Sequence, residues 1–267
     1  MSCALLAALA LSGCAAPGSP HLYSAAAIAP EPAASVPDPT VVRLANGYWP
    51  PYNGEDLPHG GCDAWVISEA FALEGITVEY GYFPWARGLS LSAAGVWDGT
   101  PSWADNPEHR EQHYVSAEAT MTQEWVFFYR ADQPLIWDTV DDLAGKTIGV
   151  TAGYYYGNAF SELRRKGTAV LVESQDDEAN FKMLLAGRID VLPMERHVGN
   201  TLLKTIFTPA ERAQIAVSER SFAQFEPHLL LSKAVAENET RMAAFDRGLR
   251  RLKESEQYTQ ILKNCDS

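Results

Sequence analysis

From Val41 onward, short apolar runs alternate with amphipathic stretches in a regular order. "VVRL", apolar at Val41, Val42 and Leu44, predicts a strand followed by an aromatic, Pro-rich loop, "ANGYWPPYNGEDLPHGG". "CDAWVISEAFALEG" has helical spacing and predicts a helix closed by Gly75. "ITVEYGYF" alternates apolar and polar residues, as a half-buried strand does. "PWARGLSLSAAG" predicts a helix with Pro84 in its first turn, and Val96–Thr100 the next strand. The second half repeats this order. "KTIGV" predicts a strand, "TAGYYYG" an aromatic Gly-flanked loop, "NAFSELRRKG" a helix and "AVLVES" a strand. "DDEANFKMLLAG" predicts a helix whose acidic first turn suits the macrodipole, and "RIDVLP" a further strand.

The most specific part of this echo is Ala94-Gly95-Val96-Trp97-Asp98 against Ala186-Gly187-Arg188-Ile189-Asp190. Both read A-G-x-x-D, at a helix end before a short apolar strand. Set within two β-loop-α-β-α-β runs of similar length, the match predicts two Rossmann-like α/β lobes. "TQEWVFFYRADQP" crosses from the first lobe to the second, and "SFAQFEPHLLLSK" crosses back. "ENETRMAAFDRGLRRLKESEQYTQILKNC" then supplies C-terminal helices to the first lobe. Lobe 1 is expected over 41–129 plus 223–267 and lobe 2 over 130–222, joined by a two-strand hinge.

Composition narrows the picture. The 267 residues can form one large domain or two lobes with real cores, and a formal net charge of −13 repels nucleic acid and anionic membrane surfaces. No nucleic-acid partner and a monomer are expected. "MSCALLAALALSGCAAPGSP" opens with an apolar run of signal-peptide length, too short to span a bilayer. It ends in Leu11-Ser12-Gly13-Cys14, which resembles the lipobox of bacterial lipoproteins, with cleavage before Cys14 and a lipid on its thiol. Residues 1–13 are then a signal peptide, and the Ala/Pro/Ser-rich 14–40 a disordered tether. The folded part is expected outside the cytoplasm, periplasmic or at the cell surface, held to the membrane by the lipid anchor only. Cys62 and Cys265 remain, and in an oxidising compartment they could form one disulfide between the first helix and the C-terminus.

In open α/β sheets, ligands bind at the carboxyl ends of strands. "YWPPYN" and "TPSWADNPEHR" occupy such ends in lobe 1, "TAGYYYG" and "LPMERH" in lobe 2. With the lobes face to face, these segments line one cleft. The chain as a whole resembles the extracytoplasmic solute-binding proteins of ABC importers, specifically the polar-amino-acid family (bacterial solute-binding protein family 3). The resemblance runs from Val41 to Cys265 and is carried by "DDLAGKTIGVTAG", "LAGRIDVLPME", "NPEHREQHYVSAEA" and "RGLRRLKESEQYTQIL". "WPPYNGEDLPHGG" and "FPWARGL" are similar to a divergent group of that family. The implied fold is periplasmic binding protein-like, class II, closing on a ligand by hinge motion without a cofactor.

Carried over by position, the resemblance implies that Tyr48, Trp49 or Tyr52 of the first loop lies beside the ligand, and that Ser102 and Trp103 follow the A-G-x-x-D strand into the cleft. A few residues later the family places an Arg that grips a ligand carboxylate with its planar fork. This chain departs there: His109 stands at that position, with Arg110 one residue late. Either a one-residue deletion follows Arg110 or the clamp is gone; Arg87 is an alternative source of charge, or simply a solvated helix Arg. In lobe 2, Gly153, Tyr154 and Tyr155 match the loop that binds the carboxylate through backbone N–H groups. The family usually has a hydroxyl residue there, so tyrosines imply a different or flatter ligand. Glu195 matches the acidic residue that binds the ligand's amino group, or is a surface Glu near Arg196. The aromatic excess points to stacking or cation–π contacts, or to packing beneath the loops.

The expected function is capture of a small polar solute (an amino acid or a related amine or aromatic acid) for an ABC permease, with no bond made or broken. One alternative is a periplasmic dehydratase on the same scaffold acting on prephenate- or arogenate-like substrates, with Glu195 or His109 as general acid or base. Another is a ligand-binding partner of a separate sensor. No catalytic residue is expected. His109 and His113 lack an H-E-x-x-H or carboxylate framework, so no metal is expected; "GYYYG" lacks the Gly-Lys-Ser/Thr of a P-loop, and no G-x-S-x-G or Cys-His pattern occurs.

Overall fold

A computed structural model of the chain describes residues 40–152, 154 and 156–265. The expected signal peptide, Cys14 and the tether up to residue 39 fall outside the described residues, as do Gly153 and Tyr155.

The elements follow the predicted rhythm. β1 (Val41–Asn46), α1 (Cys62–Ala72), β2 (Thr77–Tyr82), α2 (Trp85–Ala93), β3 (Gly99–Trp103), α3 (Pro107–Gln112) and β4 (His113–Val115) come first. β5 (Gln123–Arg130), β6 (Thr147–Thr151), α4 (Asn158–Lys166), β7 (Val170–Ser174), α5 (Asp177–Leu185) and β8 (Val191–Glu195) succeed them. α6 (Arg196–Ile206), α7 (Pro209–Arg212), β9 (Ile215–Val217), β10 (Ala223–Phe225), β11 (His228–Ser232), α8 (Asn238–Lys253) and α9 (Glu256–Cys265) complete the chain.

Two mixed sheets result. The first has the order β2-β1-β3-β11-β4; the second has β10-β5-β8-β6-β7, with β9 beside β5. In each, the earliest strand of the repeated run (β1 or β6) sits parallel between its two successors, and an antiparallel strand follows (β11 or β5). This is the expected pair of Rossmann-like α/β lobes. Gln123–Tyr129, expected with lobe 1, pair in the second sheet, because β5 lies antiparallel to β8. The crossovers run side by side just before it: Ser116 N–H donates to Leu229 O at 3.0 Å and Thr120 N–H to Pro227 O at 2.8 Å.

The A-G-x-x-D echo has a structural cause. Gly95 (φ +72°) and Gly187 (φ +66°) close α2 and α5 in the left-handed conformation that glycine adopts freely. The chain then turns back onto the first strand of each sheet. Asp98 N–H donates to Arg43 O at 3.0 Å while its carboxylate accepts from Arg43 N–H at 2.7 Å. Asp190 does the same with Thr147, at 2.7 and 2.8 Å. The turn uses up the apolar residues expected to open the next strand, so β3 begins at Gly99 rather than Val96, and β8 at Val191. Pro84 is the N-cap of α2, just outside the first turn.

α1 buries Ala64, Val66, Ile67, Ala70 and Phe71 and packs on α8 and α9. Each large apolar side chain buried this way contributes about 1.5–3 kcal/mol. A disulfide between Cys62 and Cys265, with Cα atoms 5.8 Å apart, fastens α9 to the start of α1. The second half has its own core around Phe127, Leu143, Ile148, Phe160 and Leu163.

Candidate functional site

β8 ends at Glu195, which is also the N-cap of α6: its carboxylate accepts from Val198 N–H at 2.8 Å. The other oxygen accepts from the Tyr52 hydroxyl at 2.9 Å, so a residue of the loop after β1 reaches the end of a strand in the other sheet. Glu195 and Tyr52 are 0% and 2% exposed. Burial pushes the Glu195 carboxyl above its ordinary range, and the Val198 amide, His197 and Tyr52 only partly offset this. The Tyr52 ring packs against Trp49 (centroids 5.5 Å apart) and meets His197 edge-on at 6.2 Å.

The loop carrying Tyr52 is compact. A cis Pro50–Pro51 bond lies in it, and Trp49 N–H donates to Asn53 O at 2.7 Å. Asn53 Nδ2 donates to Ser102 Oγ at 2.8 Å, and Ser102 Oγ donates to Asp63. Ser102 has φ +66°, a left-handed conformation that costs a non-glycine residue energy and is retained where the surroundings over-determine it. Asp63 is wholly buried, also accepts from the Thr120 hydroxyl, and has its carboxyl pushed up by burial. This Asn53–Ser102–Asp63–Thr120 chain joins the loop to the crossover, so Ser102 serves the frame of the site.

In the second half, Thr151 Oγ1 donates to Asp177 at 2.6 Å and accepts from Asn180 Nδ2 at 2.9 Å. Tyr154 OH donates to the other Asp177 oxygen at 3.2 Å. Thr151 N–H donates to Tyr156 OH at 2.7 Å. Trp125, opposite Glu195 in the β5–β8 register, meets Tyr154 and Tyr156 edge-on at 6.4 and 5.5 Å. The Trp49 indole N–H lies close enough to the Tyr154 hydroxyl to favour its ionised form without reaching hydrogen-bonding geometry. Desolvation around the hydroxyl and carboxyl groups dominates nonetheless: it raises the Tyr154 and Asp177 pKa values, although Tyr154 as a whole is 37% exposed, and pushes Tyr156 up to about 12.

The remaining sequence-predicted residues lie apart from Glu195. Tyr48 is 60% exposed. Trp103 donates its indole N–H to Thr100 and packs edge-on against Trp85 and His109, whose Nδ1 is 2.7 Å from Ala104 O. Arg110 is exposed and held by both Asp105 oxygens at 2.5 and 2.6 Å. Arg87 is exposed, with its guanidinium 5.9 Å from the Phe83 ring. Neither Arg contacts Glu195. A hollow of about 520 Å³ lined by Glu178, Lys182, Phe207 and Glu211 shares no residue with the site.

Sequence reasoning missed Asp63, Thr120, Gln123, Trp125 and Asp177. Asp63 offered one signal, a carboxylate next to the apolar run of α1; Asp177 was hidden among the acidic residues of a helix start. Gln123 is wholly buried on β5, two residues before Trp125 and so on the same face, and neither its Oε1 nor its Nε2 has a hydrogen-bond partner. Among the described residues, no group of three His, Cys, Asp or Glu side chains is placed to hold a metal ion, and no helix is long and apolar enough to cross a membrane.

No protein-family model matches the sequence, and no curated protein matches it significantly. Solved structures do match. An ancestral arginine-binding protein bound to arginine has a TM-score of 0.68 at 16% identity, over 85% of this chain and 99% of that one. A histidine kinase sensor domain with similarity to periplasmic binding proteins has 0.65 at 20% identity, over 84% and 95%. The amino acid ABC transporter substrate-binding protein AbpA from Streptococcus pneumoniae, bound to L-arginine, has 0.63 at 16% identity, over 85% and 94%. The chain therefore has the periplasmic-binding-protein-like fold that these proteins share.

Proposed function

We propose that the chain is an extracytoplasmic solute-binding protein of the polar-amino-acid family, which holds a small polar solute between two lobes and delivers it to an ABC permease. The Tyr52–Glu195 hydrogen bond carries this reading. It joins a loop of one half to a strand end of the other, at a place where α/β folds bind ligands. A ligand can drive closure only through contacts with both lobes, and Tyr52 and Trp49 on one side with Glu195 and Tyr154 on the other supply them. On this reading 41–122 with 226–267 and 123–225 move as lobes about the paired crossovers, since β5 and β10 belong to the second sheet, and Cys14 carries the lipid that keeps the monomer at the membrane. The solute leaves unchanged, so incubation with prephenate or arogenate yields no product. The likeness to a sensor domain favours a second reading, in which the same cleft reports to a separate signalling protein.

A thermal-shift screen against amino acids, amines, small peptides and aromatic acids tests the binding itself. A ligand at about 100 times its Kd stabilises by about 2.7 kcal/mol, a visible rise in Tm. At least one solute class raises the Tm; no rise with any class overturns the reading.

A further inference from the structure

We infer that the ligand is an organic ammonium ion without a carboxylate, seated on Glu195 in the place that the Tyr52 hydroxyl occupies. This rests on the solute-binding reading and narrows it to a ligand class.

Carboxylates predominate around the site, with the His197 imidazole beside Tyr52 and Glu195. Glu195 and Asp177 stand among Trp49, Trp125, Tyr154 and Tyr156, with Asp63 behind the first loop. Among the described residues, no guanidinium group bonds Glu195 or Asp177. Arg196, next to Glu195 in sequence, binds Glu124 at 3.1 Å, Ser218 O at 3.3 Å and Glu219 O at 2.7 Å. Arg110 is held by Asp105, and Arg87 lies over Phe83. A ligand carboxylate would enter beside buried carboxylates with no guanidinium fork to receive it.

At the start of the "TAGYYYG" loop, three described backbone donors are engaged. Ala152 N–H donates to Ser174 O at 2.9 Å, Tyr154 N–H to Thr151 O at 3.1 Å, and Thr151 N–H to Tyr156 OH. The site offers unpartnered acceptors beside its carboxylates, together with two neutral donors, the Trp49 indole N–H and Gln123 Nε2. Glu195 Oε1 already takes a donor hydrogen there, from Tyr52. Asn53, next to Tyr52, and Gln123, on the Trp125 face of β5, are both wholly buried with side-chain oxygens that have no partner among the described residues. An ammonium is donor-only and matches such a set. It would replace a neutral O–H donor on Glu195 with a charged N–H, the stronger bond. The aromatic faces around it add cation–π attraction.

Calorimetric titration of the whole folded chain with matched pairs tests this: tyramine and tyrosine, agmatine and arginine, cadaverine and lysine, histamine and histidine. Each pair differs only in the carboxylate. At least one amine binds about 10-fold or more tightly than its parent amino acid, the equivalent of one decade in Kd, and E195Q reduces that binding by a similar factor. If in every pair the amino acid binds as tightly as the amine or more so, the inference is overturned while the solute-binding reading stands. If no member of any pair binds, the inference is overturned, and the solute-binding reading is decided by the peptides and aromatic acids of the wider thermal-shift screen. Should E195Q not fold, D177N provides the second variant. Unchanged amine affinity in each folded variant also overturns the inference.

Discussion

The Tyr52 hydroxyl donates to Glu195 Oε1 at 2.9 Å across 143 residues of sequence, and both side chains are buried. Tyr52→Phe keeps the ring and removes the donor, leaving one carboxylate oxygen buried without its partner. The cost is about 1–3 kcal/mol. Calorimetry of the ligand-free protein will show a Tm lower by several degrees, since each kcal/mol moves the Tm by about 2–4 °C at this size. Tyr48→Phe, at an exposed position, stays within about 0.5 kcal/mol of the parent.

The Glu195 carboxyl has a raised folded-state pKa, so folding favours its protonated form. Its contribution to stability is complete below the unfolded value of about 4.3 and is lost as pH rises through the folded-state pKa. Carboxylates held by Arg or Lys, such as Glu74 and Asp105, work in the opposite direction. The difference between proteins is therefore the useful quantity. From the ordinary Glu range up to neutral pH, Tm of E195Q falls less, or rises more, than that of the parent. Parallel pH profiles would contradict a raised folded-state pKa for Glu195.

Asp98 and Asp190 hold equivalent turns in unequal surroundings. Asp98 is 4% exposed and lies 3.7 Å from the buried Arg241, whereas Asp190 is half-buried and bonds Thr147 N–H. D98A therefore costs about 3 kcal/mol, because it also removes a carboxylate 3.7 Å from a buried guanidinium. D190A costs about 1 kcal/mol. Denaturant titration separates the two, and equal losses would contradict the assignment.

Much of the fold was legible because its signals are local. Periodicity located β1, α1, β2 and the β6–α5 run to within a few residues, and the A-G-x-x-D pair exposed the repeat. The starts of β3 and β8 were misjudged because Val96 and Ile189 look like strand residues, while the turn that consumes them depends on Asp98 and Asp190 reaching back to strands more than forty residues earlier. Within the candidate site, Tyr52, Tyr154 and Glu195 were singled out only because the resemblance supplied their positions. Asp63 depends on Thr120, 57 residues away, and Asp177 on Thr151, 26 residues away, so neither partner falls within a local window.

The Cys62–Cys265 disulfide closes a loop of 203 residues around nearly the whole folded chain. Replacing both cysteines by Ser lowers stability by about 2–5 kcal/mol. Reducing agent has the same effect on the parent and none on the double variant, as followed by thermal unfolding. Equal sensitivity to reductant in both proteins would contradict the pairing.

The central claim is that Glu195 anchors a solute between the two lobes. Its most direct test is calorimetric titration of the best-binding solute into the parent, E195Q and E256Q, the last altering a surface residue at the start of α9. A charge-assisted hydrogen bond of about 1.5–3 kcal/mol corresponds to a loss of about 10- to 100-fold in E195Q, with E256Q unchanged. An E195Q protein that folds and binds within about threefold of the parent would contradict the account.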